Sequence, residues 1–470
     1  MATQTRTRVH VRSTRSIYPF DNRPKAASIS NPATNVDRRS MTPNLTQRLW
    51  LACLNRRFRS VLLVGALVPI GLVYLANAFV GQLLHPVKGD LLNVYVPAAR
   101  QLASGGDLYR SCLSTNCFTS LADGWWFYPP LIPWLAQPFT HVDPAVASAI
   151  ALVGAQVCVG VFVWAMARAL RIRDWQLIAM WVIAVISFPP LISEVVQRNV
   201  QVVLLALSAI WFTGWLEGDR WWAGVALGTG IALKLVQAPL FLLGAWFRRT
   251  RTSIAAAASI CVLWALGAPQ YLGEYLFGIL PRANIASGWP MNVSAGAVVT
   301  RLLHPESLYG YGTGVDTTVK IVGYTIAAVT VAVTAIVLRA PRQDRDGRSL
   351  EAALAVAASP LLVAYVRPGQ LLLLLLPMMV LGTLAVRRRD LRLGLAVAGS
   401  WLLIGPGYLW MSNALAAGLA WPMLRFGAET AFVGTLILWL ATLQAVRYHG
   451  ATEPQVAVKA SKSRIGSIYT

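Results

Sequence analysis

Apolar stretches recur along nearly the whole chain, and their length decides the class of fold. Runs near 61–82, 145–169, 175–192, 200–216, 252–273, 318–338, 350–366, 370–386, 394–410 and 426–446 carry few charges. Each approaches the ~20 residues an α-helix needs to cross a bilayer. Segment 221–247 breaks the rhythm, because basic residues flank both ends and Lys234-Leu235-Val236-Gln237-Ala238-Pro239 interrupts its middle. One crossing would leave a basic end on the far side. A hairpin of two short or tilted helices keeps both ends together, with Lys234 near the turn, and is the expected arrangement. The pattern therefore predicts an all-α polytopic membrane protein of about 12 transmembrane helical segments, with short helices in its outer loops. Residues 60–446 form the membrane domain, between tails 1–59 and 447–470.

The polar positions orient these spans. Basic clusters stand at Arg168 to Arg173, Arg220, Arg248-Arg249-Thr250-Arg251, Arg339 to Arg348, Arg387-Arg388-Arg389 and Arg447. Cytoplasmic loops carry the Lys/Arg excess, so both termini are expected in the cytoplasm. Loops 83–144 and 274–317, and a short turn from Ser193 to Asn199, then face outward.

Composition agrees: of 470 residues 56% are hydrophobic and only 13% charged, against ~25% charged in a soluble domain. The mean hydropathy is +0.55. Much of the net charge of +22 lies in tail 1–59, where only Asp21 and Asp37 oppose the arginines. No aromatic interleaving accompanies them, so the tail reads as a disordered cytoplasmic segment touching anionic membrane lipid, with no nucleic acid as partner. It is too long and polar for a cleaved secretory signal.

Chemistry is narrowed first by what is missing. No phosphate-binding glycine loop, dinucleotide fingerprint, zinc spacing or Ser/His/Asp arrangement occurs. His10, His85, His141, His304 and His449 stand singly, so neither metal nor cofactor is expected. An enzyme working outside the membrane without a nucleotide must draw on a membrane-carried donor or a gradient. Cys112 and Cys117 share the first outer loop and read as a small disulfide, against the alternative of two free thiols.

Ionisable residues at membrane depth or its edge are costly and hence candidates for function. Asp90, Glu194, Arg198, Lys234 and Arg367 qualify. Each has a plainer reading: a helix N-cap for Asp90, an exposed turn for Glu194, bilayer-edge anchors for the two arginines, a snorkelling amine for Lys234. Tyr95, Tyr109, Trp125, Trp126 and Tyr128 are rings suited to stacking on a sugar, although Trp125 and Trp126 also suit an interfacial belt.

The spacing of these residues resembles a known family. Asp90 is followed by Tyr95, Ala98, Leu102, Gly105 and Tyr109, then by Tyr128-Pro129-Pro130-Leu131 with Leu135 and Pro138. Ala223-Gly224-Val225-Ala226-Leu227-Gly228 runs on to Lys234 and Pro239, and Asn292-Val293-Ser294 leads to Arg301. In combination and order these blocks, covering about 60–446, are similar to glycosyltransferase family 87. The resemblance implies a membrane-embedded C-type fold and an inverting transferase. Such an enzyme moves a sugar, by analogy mannose, from a polyprenyl-phosphate donor to a glycolipid or lipoglycan acceptor at the outer face of the plasma membrane. It further implies Asp90 as catalytic residue and substrate contacts from Tyr95, Tyr109, Tyr128, Asn199, Gln201 and Asn292. The chain departs from the family where Gly-Gln-x-Asn is usual, having Arg198-Asn199-Val200-Gln201. It departs again after Ser359-Pro360, where Tyr365 and Arg367 stand and no histidine does.

The residues fit that chemistry independently. A carboxylate can deprotonate an acceptor hydroxyl, and Lys234, Arg198 and Arg367 can stabilise a departing lipid phosphate. An arabinofuranosyltransferase of the same family is one alternative. A secondary transporter or lipid-linked sugar flippase is the other, since interrupted helices such as 221–247 often mark transport sites. A transporter normally has related halves, however, and the second half holds no counterpart of the Asp90 or Tyr-Pro-Pro blocks.

Overall fold

The computed structural model describes residues 63–84, 89–109, 128–283, 291–304, 317–416 and 421–466, with a few positions between 55 and 61. Most of tail 1–59, and Cys112, Cys117, Trp125 and Trp126, lie outside the described residues. Every regular element among the described residues is helical.

In chain order the main helices are α1 (Gly65–Leu84), α2 (Val96–Ala103), α3 (Leu131–Ala136), α4 (Pro144–Ala169), α5 (Trp175–Ile186), α6 (Pro189–Gln197), α7 (Gln201–Glu217) and α8 (Trp221–Leu233). They continue as α9 (Ala238–Trp246), α10 (Thr250–Leu266), α11 (Ala295–Leu303), α12 (Thr317–Val337), α13 (Arg345–Leu362), α14 (Leu375–Arg388), α15 (Leu391–Ala416) and α16 (Trp421–Gly466). Among the described residues, six helical stretches are long and apolar enough to cross a membrane. They are Gly65–Leu84, Pro144–Ala169, Thr317–Val337, Pro368–Arg388, Leu391–Trp410 and Phe426–His449, and two bent pairs would bring the number to eight.

The bends have local causes. Between α5 and α6 the axis turns by 62°, where Pro189 and Pro190 supply no N–H to continue the ladder. After α10 it turns by 103°, at Ala268 in the left-handed region (φ 62°) followed by Pro269. The stretches 175–192 and 252–273, each expected as one span, are therefore broken helices. The expected turn from Ser193 to Asn199 is instead mostly the second half of α6.

Helices α8 and α9 are the two arms of a hairpin. At its open end the Asp219 carboxylate accepts from the Arg251 N–H (2.9 Å) and the Thr252 N–H (2.8 Å), and Arg249 donates to the Trp215 carbonyl (3.2 Å). At its closed end the Gln237 amide donates to the Leu204 carbonyl (2.9 Å) and to Ser208 Oγ (2.6 Å). Trp264 donates to the Ala232 carbonyl (3.1 Å). The α8 arm packs along α10 through its glycines. A Cβ on Gly224 would fall 2.1 Å from the Thr252 carbonyl oxygen, and one on Gly228 would fall 2.4 Å from that of Ala256. Small residues at such spacing let helix backbones touch inside a bilayer.

The same contacts sort the basic clusters. Arg345 donates to the Ala169 carbonyl (2.8 and 2.9 Å), Arg387 pairs with Asp346 (3.6 Å), Arg388 meets His449 (2.8 Å), and Trp215 donates to the Arg348 carbonyl (3.2 Å). These clusters thus gather at one end of the bundle, the end where the 221–247 hairpin opens. Lys234, at the hairpin turn, lies away from them.

Candidate active site

The polar residues that interrupt the apolar pattern converge at the other end. The start of α7, the second half of α6, the turn between α8 and α9, and the loop before α14 enclose a cavity of about 150 Å³. Asp90, Glu194, Gln197, Asn199, Gln201, Lys234 and Arg367 line it, with Ser193, Met291 and Tyr408. Inside a bilayer, such groups are kept where they face one another or a water-filled cleft.

Asp90 reaches the cleft by a tight approach. Gly89 adopts φ +51°, and a Cβ there would sit 2.6 Å from the Gln197 carbonyl oxygen, so the chain passes against the end of α6. Asp90 precedes the helical turn Leu91–Tyr95 but makes no capping bond to it. Its Oδ2 instead accepts from the Asn199 side-chain amide. That amide has a fixed orientation, because Asn199 Oδ1 already accepts the Gln201 N–H (3.0 Å), which leaves its Nδ2 for the carboxylate. Asp90 is held, half-buried, as an acceptor with Oδ1 free of that bond.

Lys234 caps the C-terminal end of α8 in extended conformation. It is 9% exposed, and its Nζ lies 4.8 Å above the centre of the Tyr128 ring. The contact steadies the ammonium without neutralising it. Arg367 enters from the loop before α14, where its N–H donates to Gln370 Oε1 (3.1 Å). Two cations and two carboxylates thus share one partly closed space.

Other candidates fall elsewhere. Arg198 ends α6 in the left-handed region (φ 52°), and its guanidinium turns to the Gln82 side chain (2.8 Å) and carbonyl (3.2 Å) on α1. It does not line the cleft. Tyr109 is fully buried, donates to the Tyr128 carbonyl (2.8 Å) and packs against Tyr271 and Tyr275. Tyr95 meets Tyr128 edge-on at 6.1 Å, and its hydroxyl accepts from the Val200 N–H (3.4 Å). Tyr128 lies under Lys234, Tyr95 and Tyr109 pack against Tyr128, and none of the three lines the cavity. Asn292 is 0% exposed, and its amide is spent on the Ala364 carbonyl (3.2 Å) and the Val366 N–H (3.0 Å). It stitches 291–294 to 364–367 and so positions Arg367 without touching the cleft.

Residues missed by sequence reasoning include Tyr408, which meets Ser193 at 2.7 Å. The available signal was its setting, Gly405-Pro406-Gly407-Tyr408, in the middle of an apolar helix. Among the described residues no group of three or more His, Cys, Asp or Glu is gathered.

Fold and site together define a multi-pass helical membrane protein with a charged cleft at the bundle end remote from its basic clusters. The model of glycosyltransferase family 87 matches residues 126–364, just over half of the chain, and the chain belongs to that family. The match includes Glu194, Asn199, Gln201 and Lys234; Asp90 and Arg367 lie outside it. One relative is the polyprenol-phosphate-mannose-dependent alpha-(1-2)-phosphatidylinositol mannoside mannosyltransferase of Mycobacterium tuberculosis. It is 29% identical over 224 residues, 44% of this chain and 50% of that protein. The chain thus spans about half the length of the curated relative it matches. Membership in a glycosyltransferase family favours the transferase over the transporter reading.

Proposed function

We propose that the protein is an inverting mannosyltransferase. It moves mannose from a polyprenyl-phosphate donor to a glycolipid or lipoglycan acceptor at the extracytoplasmic face of the plasma membrane. The observation that carries the reading is one cleft in which an amide-held carboxylate, Asp90, shares space with Lys234 and Arg367. The acceptor hydroxyl attacks the anomeric carbon while Asp90 takes its proton. The bond from that carbon to the phosphate oxygen breaks, and its electron pair leaves with the polyprenyl phosphate. Lys234 and Arg367 meet the charge growing on that phosphate, the stage at which preorganised cations contribute most. A single displacement with one base inverts the anomeric centre, following the logic of inverting sugar hydrolysis.

Sidedness follows from the gathered basic clusters, whose end belongs in the cytoplasm by the positive-inside rule. The cleft then opens outward. In this reading the short apolar helices 201–217, 221–233 and 235–246 complete a C-type bundle of about 12 helical segments. The mannose assignment is supported by the name of the mycobacterial relative. Purified protein in lipid, given radiolabelled polyprenyl-phospho-mannose and a native lipid extract, should yield a labelled glycolipid. Transfer from polyprenyl-phospho-arabinofuranose alone would reassign the sugar, and no transfer from either would remove the transferase mechanism.

A further inference from the structure

The cleft holds two carboxylates, and the proposed transfer uses one. The other, Glu194 on α6, has Oε2 buried without a hydrogen-bond partner among the described residues. Its Oε1 lies against backbone, since a Cβ on Gly369 would fall 2.1 Å from it. The loop carrying Arg367 therefore closes directly on this carboxylate. Gln201 also lines the cleft, is 2% exposed, and leaves both Oε1 and Nε2 without partners.

A buried polar atom left unpaired bears its full desolvation penalty. Such atoms call for a ligand or water that completes them. Those gathered here are two acceptors and one donor. A phosphate does not suit Glu194, because like charges repel; it belongs on Lys234 and Arg367. A sugar does suit it, because each ring hydroxyl donates one hydrogen bond and accepts others. In a glycosyl phosphate the ring is bonded directly to the phosphate, so its hydroxyls fall beside whatever holds that group. Glu194 and Gln201 share the small cavity with both cations.

Resting on the transfer reading above, we propose that Glu194 and Gln201 form the hydroxyl-recognition subsite for the donor's sugar ring, with Glu194 accepting from ring hydroxyls and Gln201 pairing with another. These two residues then determine which sugar is transferred, while Asp90 acts on the acceptor. A site built to bond a hydroxyl rejects the analogue lacking it far more strongly than an apolar pocket could, because its own buried groups are left unpaired.

The test uses the purified full chain with polyprenyl-phospho-mannose and its monodeoxy analogues. Wild type is expected to lose about 100-fold or more in kcat/KM when one or two particular hydroxyls are removed. Glu194→Gln should lower transfer of the intact sugar yet handle the matching deoxy donor about as well as wild type does, so discrimination at that hydroxyl collapses. Gln201→Leu should flatten discrimination at a different hydroxyl. Binding of polyprenyl phosphate alone should be no weaker in Glu194→Gln than in wild type, since a negative charge beside the cations has been removed. Undiminished discrimination at every position, an equal fall on all donors, or lost polyprenyl-phosphate binding would each overturn the subsite. If wild type used none of the donors, the transfer reading beneath it would fall instead.

Discussion

Asp90 and Arg198 show how little a charge's position in the sequence says about its side chain's direction. Asp90 stands at a helix start, where an aspartate usually caps, yet it binds the Asn199 amide and faces the cleft. Arg198 sits beside that asparagine and points the other way. The cause is local: the Asn199 N–H returns to the Glu194 carbonyl (3.0 Å) and closes the end of α6, with Arg198 in the left-handed position that glycine usually takes. Glycine adopts this backbone conformation without strain. Arg198→Gly should therefore keep kcat within a few-fold of wild type, whereas Lys234→Ala should lose roughly 10²–10³ in kcat, as for a lost charge-stabilising donor. Steady-state kinetics on both purified variants checks this; a dead Arg198→Gly beside an active Lys234→Ala would reverse the assignment.

At the scale of elements, the hairpin 221–247 was legible because basic residues at both ends and a lysine in the middle leave few alternatives within a membrane. The broken helices were less so, since an apolar run does not reveal where its axis bends; only Pro189-Pro190 and Pro269 hinted at it. The aromatic block was half legible. Tyr95, Tyr109 and Tyr128 do gather, but they are consumed by each other and by Lys234, a contact that chain spacing cannot foretell. The open end of the hairpin depends on Asp219, which accepts from the first-turn N–H groups of α10 in place of a local cap. Burial pushes its carboxyl pKa up, but bonds from Thr252 and Arg251 outweigh this and hold it below the usual carboxylate value. With the folded pKa depressed, its contribution is present at neutral pH and is lost as pH falls through the acidic range. Asp219→Ala should cost on the order of 1 kcal/mol, as for loss of a helix cap, read as a lower melting temperature in detergent at pH 7. The gap from wild type should narrow toward acidic pH; a constant gap would assign Asp219 another role.

For the whole molecule, the claim is polarity: basic clusters at one end, the cleft at the other. Arg251 and Ser104 are exposed, one at each end. In intact cells, with the native thiols replaced, an impermeant maleimide should label Ser104→Cys and spare Arg251→Cys; the reverse would invert the bundle and place the cleft inside. The class of fold was readable throughout, because helix length against bilayer thickness is a constraint any single sequence displays. The cleft was only partly readable. Its charged members stood out against apolar surroundings, but Tyr408 comes from a distant helix and enters through packing. The central claim remains that Asp90 removes the acceptor proton. Single-turnover transfer from labelled polyprenyl-phospho-mannose, measured for wild type, Asp90→Asn and Asp107→Asn, tests it most directly. Asp107 makes a fair control, since its carboxylate accepts the Tyr109 N–H within its own turn (3.1 Å). Asp90→Asn keeps the side chain's shape and should slow transfer about 10²–10⁴-fold, with donor binding unchanged and Asp107→Asn near wild type. An Asp90→Asn enzyme that transfers at close to the wild-type rate would contradict the account.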